Sequence, residues 1–287
     1  MLQRKSSHFY RAPIKKVVKF LFSRTNAILG VFDLKLIRRI RELDRVANEL
    51  KRLGKWSIFI NLLVPVELVP KVLDVLPYSK SQIGQDVFAL VALDFKRQGF
   101  FVEFGATNGI DLSNSLLLER DFEWKGILAE PGKGWHSELF KNRTASIETN
   151  CVWKESNLKL EFVETLSPEL STLGDFIKID RNTDMRFKSR KYKVQTISLN
   201  DLLLKYNAPN HIDYLSLDTE GSEYEILSTL DFSKYTFGVI TCEHNLTPSR
   251  ELIFKLLTKN GYKRVFTEIS EFDDWYIGTD VKIFLNT

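Results

Sequence analysis

A chain of 287 residues with 44% hydrophobic and 27% charged residues has the make-up of an ordinary globular protein, which argues against a disordered polymer and against a bundle of membrane helices. The net charge of +4 hides an asymmetry, because residues 1 to 55 carry fifteen Lys or Arg against four Asp or Glu, a balance of +11 that leaves the remainder at −7. A basic arm for an anionic membrane surface or polymer and a solvated helical face both fit that arm.

No stretch approaches the roughly twenty uninterrupted apolar residues needed to span a bilayer, and Arg24, Asp33 and Lys35 break the N-terminal apolar runs that a secretory signal would need. The two cysteines, Cys151 and Cys242, fall in apolar strand-like runs and read as buried reduced thiols rather than a disulfide. The expected location is therefore the cytoplasm, with peripheral membrane contact through the arm left open.

Along the chain, residues 1 to 77 read as a basic helical extension and 78 to 287 as the main domain. The Lys15, Lys16, Lys19 cluster lies beside Val17, Val18, Phe20, Leu21 and Phe22, which suits a short amphipathic helix. From Asp33 to Gly54, Leu36, Ile40, Leu43, Ala47 and Leu50 recur at alternating spacings of four and three, about two heptads that could pair with a second subunit or pack on the core. Pro65, Pro70 and Pro77 among aliphatics predict short helical turns, and Val87, Leu90 and Val91 mark a helix that Gly99 ends.

The stretch Gly99 to Gly109, GFFVEFGATNG, then combines an apolar strand, a terminal acid and two glycines four apart. Its run of Phe100, Phe101 and Val102 suits a strand buried on both faces of a parallel sheet. Its glycines let a ligand lie on the main chain.

Beyond Gly109 the chain alternates as in a doubly wound sheet. A helix over Ser113 to Phe122 precedes a strand from Gly126 to Ala129 that ends at Glu130 and Pro131. A helix through Trp135 to Phe140 precedes a third strand, Ser146 to Val152. LKLEFV (158 to 163) reads as a strand of a β-excursion, and Ser167 to Lys193 as a long polar loop of the kind that forms a lid or binding segment. Then come a strand over Val194 to Ile197, a short helix at Asp201 to Tyr206, and a strand from Ile212 to Leu217 ending in Asp218. Ser222 and Glu225 predict a capping box on a helix to Leu230. A strand from Phe237 to Cys242 ends in Glu243, His244 and Asn245. Thr247 and Pro248 cap a helix that runs to Asn260, and strands near Tyr262 to Phe266 and Trp275 to Ile277 form an antiparallel edge pair.

Glu103, Gly105 and Gly109 form E-x-G-x-x-x-G, which departs from the dinucleotide G-x-G-x-x-G and lacks the Gly-Lys-Ser/Thr of a phosphate loop. S-adenosylmethionine fits such a loop: Glu103 would complement its cationic sulfonium, and the alternative is a strand-end acid that only caps backbone amides. Glu130, a little over twenty residues beyond the loop, stands where nucleotide-binding folds place a carboxylate for ribose hydroxyls, or else is a surface acid paired with Lys125 or Lys133. Asn150 and Cys151 could border an adenine ring.

The stretches SQIGQD, FVEFGATNGIDLSNSLLLE, GILAEP, YLSLDTEGSEYEIL and TCEHN, followed by a helix and GYKRVF, closely resemble the FkbM family of S-adenosylmethionine-dependent methyltransferases, over roughly residues 78 to 278. The resemblance implies an α/β, Rossmann-like class I methyltransferase with a mostly parallel doubly wound sheet and an antiparallel edge strand, and O-methylation, commonly of sugar hydroxyls in glycan pathways. The cofactor-side candidates are Glu103, Gly105, Ala106, Asn108, Gly109 and Ser113 in and after the loop, Glu130 and Pro131, Asn150 and Cys151, and Asp218. The N-terminal arm lies outside the resemblance.

Methyl transfer is an in-line displacement, so positioning supplies much of the catalysis, but a sugar hydroxyl needs its proton removed. One reading makes His244 the general base, with Asp218 and Glu243 beside it. Another gathers Asp218, Glu220, Glu243 and His244 around a divalent metal. The cluster Arg181, Arg186, Lys188, Arg190, Lys191 and Lys193 could meet an anionic acceptor such as a nucleotide sugar, or be a solvated loop. Trp135, Trp153 and Trp275 could stack on sugars or be core. An RNA or small-metabolite O-methyltransferase and a non-catalytic binding module are the alternatives, nucleic acid is not an expected partner, and an NAD enzyme conflicts with the glycine spacing.

Overall fold

Apolar runs bounded by turn residues from Phe100 onward become the strands of a seven-stranded sheet, and the polar alternation after residue 150 becomes a second, smaller one. The computed structural model describes residues 64–165, 171–173 and 189–281 together with Gly54, Trp56, Ser57 and Ile60. The chain divides into a unit ending at Trp56 and another from Ser57, and the expected helices around Lys15 to Phe22 and Asp33 to Gly54 lie almost wholly outside the described residues. Among the described residues no helix is long and apolar enough to cross a membrane.

The prolines of 64 to 78 give short turns and one helix, α1 (Val69–Val75). Helix α2 (Gln85–Ala92) follows and stops at Leu93, earlier than Gly99. The main sheet is built from β1 (Phe100–Phe104), β2 (Lys125–Ala129), β3 (Ser146–Glu148), β8 (His211–Leu217), β9 (Thr236–Glu243), β10 (Lys263–Val265) and β11 (Asp273–Ile277). Its order is β10-β11-β9-β8-β1-β2-β3. β3, β2, β1, β8 and β9 run parallel, whereas β11 pairs antiparallel with both β9 and β10. The antiparallel pair is at the edge, as the sequence predicts, with β10 outermost and β11 inserted beside β9.

Period-two alternation sends Val102 and Phe104 to one face of β1 and Phe101 and Glu103 to the other. The first face joins a core with Leu202 and Leu203 of α5 (Leu199–Lys205), Ile226 and Leu227 of α6 (Glu223–Ser228), and Ile253 and Leu257 of α7 (Ser249–Lys259). On the opposite side Phe88 of α2 stacks on Trp275 at 4.6 Å between centroids. Leu117 and Leu118 of α3 (Leu116–Phe122) are fully buried. Helix α4 (His136–Asn142) connects β2 to β3.

The third strand is shorter than the sequence predicts. β3 stops at Glu148, whose Oε1 accepts the Asn150 amide at 2.9 Å and turns the chain away. Cys151 to Trp153 then forms β4 of the second sheet, ordered β4-β7-β5-β6, with β5 (Lys159–Thr165), β6 (Thr172–Leu173) and β7 (Ser189–Ser198). Part of the expected polar loop is therefore strand: β7 pairs antiparallel with β5 from Lys159 opposite Gln195 to Thr165 opposite Ser189.

Two expected caps also differ. Ser222 makes no side-chain cap; its hydroxyl donates to Thr219 Oγ1, and Glu223 rather than Glu225 holds the turn. Thr247 donates to the His244 carbonyl, and Pro248, not Thr247, is the residue at the start of α7.

Candidate active site

The order of the main sheet reverses at β1 and β8, with β2 and β3 on one side and β9 on the other. In open α/β sheets such a switch point leaves a crevice beyond the carboxyl ends of the strands. A cleft of about 220 Å³ is found there. Phe104, Gly105 and Thr107 follow β1; Ala129, Glu130 and Pro131 end β2; Asp218, Thr219 and Glu220 follow β8; Glu243 and Asn245 come from the end of β9. Cys151, Val152 and Phe162 of the second sheet close one side.

Gly105 has φ +76, and a Cβ there would overlap the Asp218 carbonyl, so the two strand ends meet only because this residue is glycine. Thr107, Leu112, Glu220 and Asn245, all on the cleft wall, are non-glycine residues with positive φ of 47, 62, 57 and 45°. Such backbone strain gathers at ligand sites.

Glu130 is buried and accepts the Thr107 amide at 2.9 Å and the Gly132 amide at 2.7 Å, one on each carboxylate oxygen. It pairs with neither Lys125 nor Lys133; the Lys133 ammonium sits over the Tyr192 ring. Burial pushes its carboxyl up to about 7 despite those amides. An ionised carboxylate has about four acceptor sites, so two remain for a ligand's hydroxyls.

Glu103 stands elsewhere. It is buried on the far face of β1, where its carboxylate accepts the Asn114 amide at 2.7 Å and the hydroxyls of Ser113 and Ser115. It does not line the cleft, so the amide-capping alternative describes its geometry. Asn108 and Gly109 also lie off the cleft wall. Asn108 Oδ1 accepts the Ile110 and Asp111 amides at 2.9 Å, and Gly109 (φ +80) packs where a Cβ would press on Arg143. Ala106 is buried in the turn, with its amide on the Ala129 carbonyl. The Ser113 hydroxyl is held by Arg143 and the Glu103 carboxylate, and Cys151 alone of the Asn150–Cys151 pair reaches the wall. Burial pushes the Cys151 thiol up to about 12; both it and Cys242 are free and buried.

His244 is also turned away. Its Nδ1 accepts the Leu246 amide at 2.9 Å, and its Nε2 stands 3.8 Å from Asp274 Oδ1. Asp274 is itself held by Arg250 at 2.7 and 2.9 Å and Arg264 at 3.1 Å. Burial lowers the imidazole's pKa. Neither the general-base reading nor the metal-ligand reading of His244 agrees with this placement.

Asp218, Glu220 and Glu243 do converge, with one carboxylate oxygen from each within 4.8 Å of the others. Burial pushes Asp218 up to about 7 and Glu243 well above the ordinary carboxylate range. Glu243 Oε2 is buried without a hydrogen-bond partner, as is Asn114 Oδ1, whose amide nitrogen donates to Ser216 at 3.0 Å.

Asn114, Phe272 and Phe162 on this wall carry no signal in the sequence, and neither does Arg143 behind it. The fully buried Arg143 guanidinium donates to Glu119 at 2.7 Å, Ser115 at 2.8 Å, Ser113 at 3.0 Å and the Gly109 carbonyl at 3.2 Å. It thereby ties α4 to the glycine loop.

Of the basic cluster, Arg181, Arg186 and Lys188 lie outside the described residues; Arg190, Lys191 and Lys193 are on β7, where Lys191 pairs with Glu161 at 2.8 Å. Trp135, Trp153 and Trp275 are not on the cleft wall, whose aromatic members are Phe104, Phe162 and Phe272.

The methyltransferase FkbM domain profile matches residues 103–274, more than half of the chain. The chain belongs to the FkbM methyltransferase family. This FkbM methyltransferase is accordingly an S-adenosylmethionine-dependent enzyme with a Rossmann-like fold. A comparison with curated proteins gives no match. Among solved structures it is similar to precorrin-6y C5,15-methyltransferase from Geobacter metallireducens GS-15, at 11% identity and TM-score 0.34 over 67% of this chain and 85% of that one. It is also similar to a fibrillarin/Nop5p complex chain, at 12% identity and TM-score 0.34 over 69% and 80%. Both likenesses are distant, and the fold assignment rests on the strand order itself.

Proposed function

We propose that this FkbM methyltransferase O-methylates a hydroxyl of a neutral carbohydrate in glycan or polysaccharide biosynthesis. The observation that carries the reading is the chemistry of the cleft wall. It presents Glu130, Asp218, Glu220, Glu243, Asn114 and Asn245 beside Phe162 and Phe272, and no Lys or Arg among the described residues. Hydrogen-bond acceptors with aromatic faces suit a polyol; phosphates would meet four carboxylates and no cation. An RNA or nucleotide-sugar acceptor is correspondingly disfavoured.

S-adenosylmethionine, when bound, supplies a methyl group on cationic sulfur, and transfer breaks the C–S bond, forms the O–CH3 bond and leaves a neutral thioether. On this reading Glu130 accepts the ribose hydroxyls at its two open sites. Cys151, Val152 and Phe162 offer an apolar wall for the adenine ring, and Gly105 leaves the main chain open to the amino-acid tail. Asn114 Oδ1, an acceptor without a partner, suits that tail's ammonium group. Asp218 takes the proton of the acceptor hydroxyl, since a buried carboxyl titrating near 7 is a competent base at neutral pH.

Methyl transfer from labelled cofactor into separate panels of neutral glycans, nucleotide sugars and RNA tests the reading. Label in the neutral glycans is expected. Label confined to RNA or to nucleotide sugars would contradict it.

A further inference from the structure

We infer that Asp218, Glu220 and Glu243 form a binding site for a divalent cation of the magnesium, manganese or calcium type, an inference that rests on the acceptor-side reading of this cleft. The three carboxylates come from two strand ends. Asp218 and Glu220 follow β8 in a turn with positive φ at Glu220 and Gly221, and Glu243 ends the neighbouring strand β9. One oxygen from each lies within 4.8 Å of the others, a separation that a single ion between them can bridge at ordinary oxygen-ligand lengths.

A second observation concerns Glu243. Its side chain is only 6% exposed, it faces the cleft, and its Oε2 has no hydrogen-bond partner. A buried carboxylate oxygen left without donors is costly unless something positive or protic occupies the space in front of it. Among the described residues no cationic side chain lines the cleft beside it. Asp273 and Glu223 are buried acids as well, and the guanidinium groups of Arg250 and Arg264 are engaged by Asp274.

Charge balance leads to the same place. The cleft wall carries four carboxylates and no cationic side chain among the described residues. With all four acids ionised, the one net positive charge of S-adenosylmethionine, two positive and one negative, leaves most of that wall uncompensated. The remaining deficit lies on the acceptor side, since Glu130 stands at the other end of the cleft on β2.

The donor set is all oxygen, which selects hard cations over zinc or copper. The fixed backbone on both sides pre-positions the ligands. Asn245 Nδ2 donates to Glu220 Oε2 at 3.3 Å and orients that carboxylate. Each acid offers one oxygen and retains another, so Asp218 still has an oxygen for the acceptor's proton. An ion here leaves coordination positions for an oxygen of the acceptor.

The test uses the full chain stripped with EDTA, with Mn2+ added and free Mn2+ followed by electron paramagnetic resonance, while S-adenosylmethionine binding is measured by calorimetry on the same preparation. One Mn2+ per chain at sub-millimolar concentration, displaced by Mg2+, is expected. Glu243→Gln and Glu220→Gln are expected to weaken binding by more than about tenfold, since even the partners behind metal ligands cost that much. Manganese anomalous scattering from the unaltered protein, which needs no variant to fold, should peak between the three carboxylates. No Mn2+ binding, an unaffected affinity in both folded variants, or a peak elsewhere overturns the inference. Cofactor binding without Mn2+ binding defeats the ion site but leaves the methyl-transfer reading standing; Mn2+ binding without methyl transfer to any glycan does the reverse.

Discussion

Gly105 and Asp218 touch through their backbones: the Asp218 carbonyl oxygen occupies the space a side chain at residue 105 would need. The contact joins the ends of β1 and β8 at the point where the sheet reverses, and so sets the width of the cleft. Gly105→Ala is expected to cost about 1–3 kcal/mol from the left-handed backbone alone, to displace Asp218, and to reduce S-adenosylmethionine affinity. Thermal melting and calorimetry check this; an alanine variant with wild-type affinity would show that the loop does not touch the cofactor.

Arg143 is the second support of that loop. Its buried guanidinium neutralises Glu119 and lies 3.8 Å from Glu103, so Arg143→Met leaves two acids without their counter-charge. Breaking a buried pair in this way typically costs about 3–5 kcal/mol. Urea unfolding should show a lowered midpoint of that order. A variant unfolding at the wild-type midpoint would deny Arg143 its role.

The orientation of His244 separates two mechanisms. His244→Asn, whose side-chain oxygen can still accept the Leu246 amide, is expected to keep kcat within about tenfold of wild type. Asp218→Asn should lose on the order of 10²- to 10⁴-fold, the usual worth of a general base. Steady-state kinetics at saturating cofactor decide it. The opposite ranking would restore the imidazole as base.

These residues also show what a sequence reveals of such a site. Glu130, Asp218 and Glu243 are legible because each ends an apolar run, and in a parallel sheet the ends of such runs border the crevice. His244 and Glu103 mislead for one geometric reason. Adjacent positions at a strand end point to opposite sides, so Glu243 faces the cleft and His244 its far side, as Phe104 faces it and Glu103 does not. Arg143 is illegible since every partner lies more than twenty residues away in sequence. The break between β3 and β4 falls on the polar run Glu148, Thr149 and Asn150, where the Glu148 side chain accepts the Asn150 amide, a run short enough to be read as part of one strand.

Stability should fall as pH rises in the cofactor-free, cation-free protein. Burial pushes Asp86 up to about 6, Glu130 and Asp218 up to about 7, and Glu243 and Asp273 well above the carboxylate range. In the unfolded chain these groups ionise near pH 4. The native state therefore binds more protons from about pH 4 upward through 7, and its stability declines across that window. His244, kept neutral by burial, opposes the trend below 6.5, and the carboxyls held low, such as Glu119, oppose it only at the acid end of the window. Calorimetric melting is expected to give a higher Tm at pH 5.5 than at pH 8. A rising Tm over the same range would mean that these acids are ionised in the folded protein.

A crystal structure of the chain with S-adenosylhomocysteine bears on the cleft itself, with no variant or assay in between. The ribose hydroxyls are expected within hydrogen-bond distance of the Glu130 carboxylate, the adenine against Val152 and Phe162, and the sulfur directed towards Asp218 and Glu243. A cofactor seated with its ribose away from Glu130, or bound outside the crevice between the ends of β1 and β8, would contradict that placement.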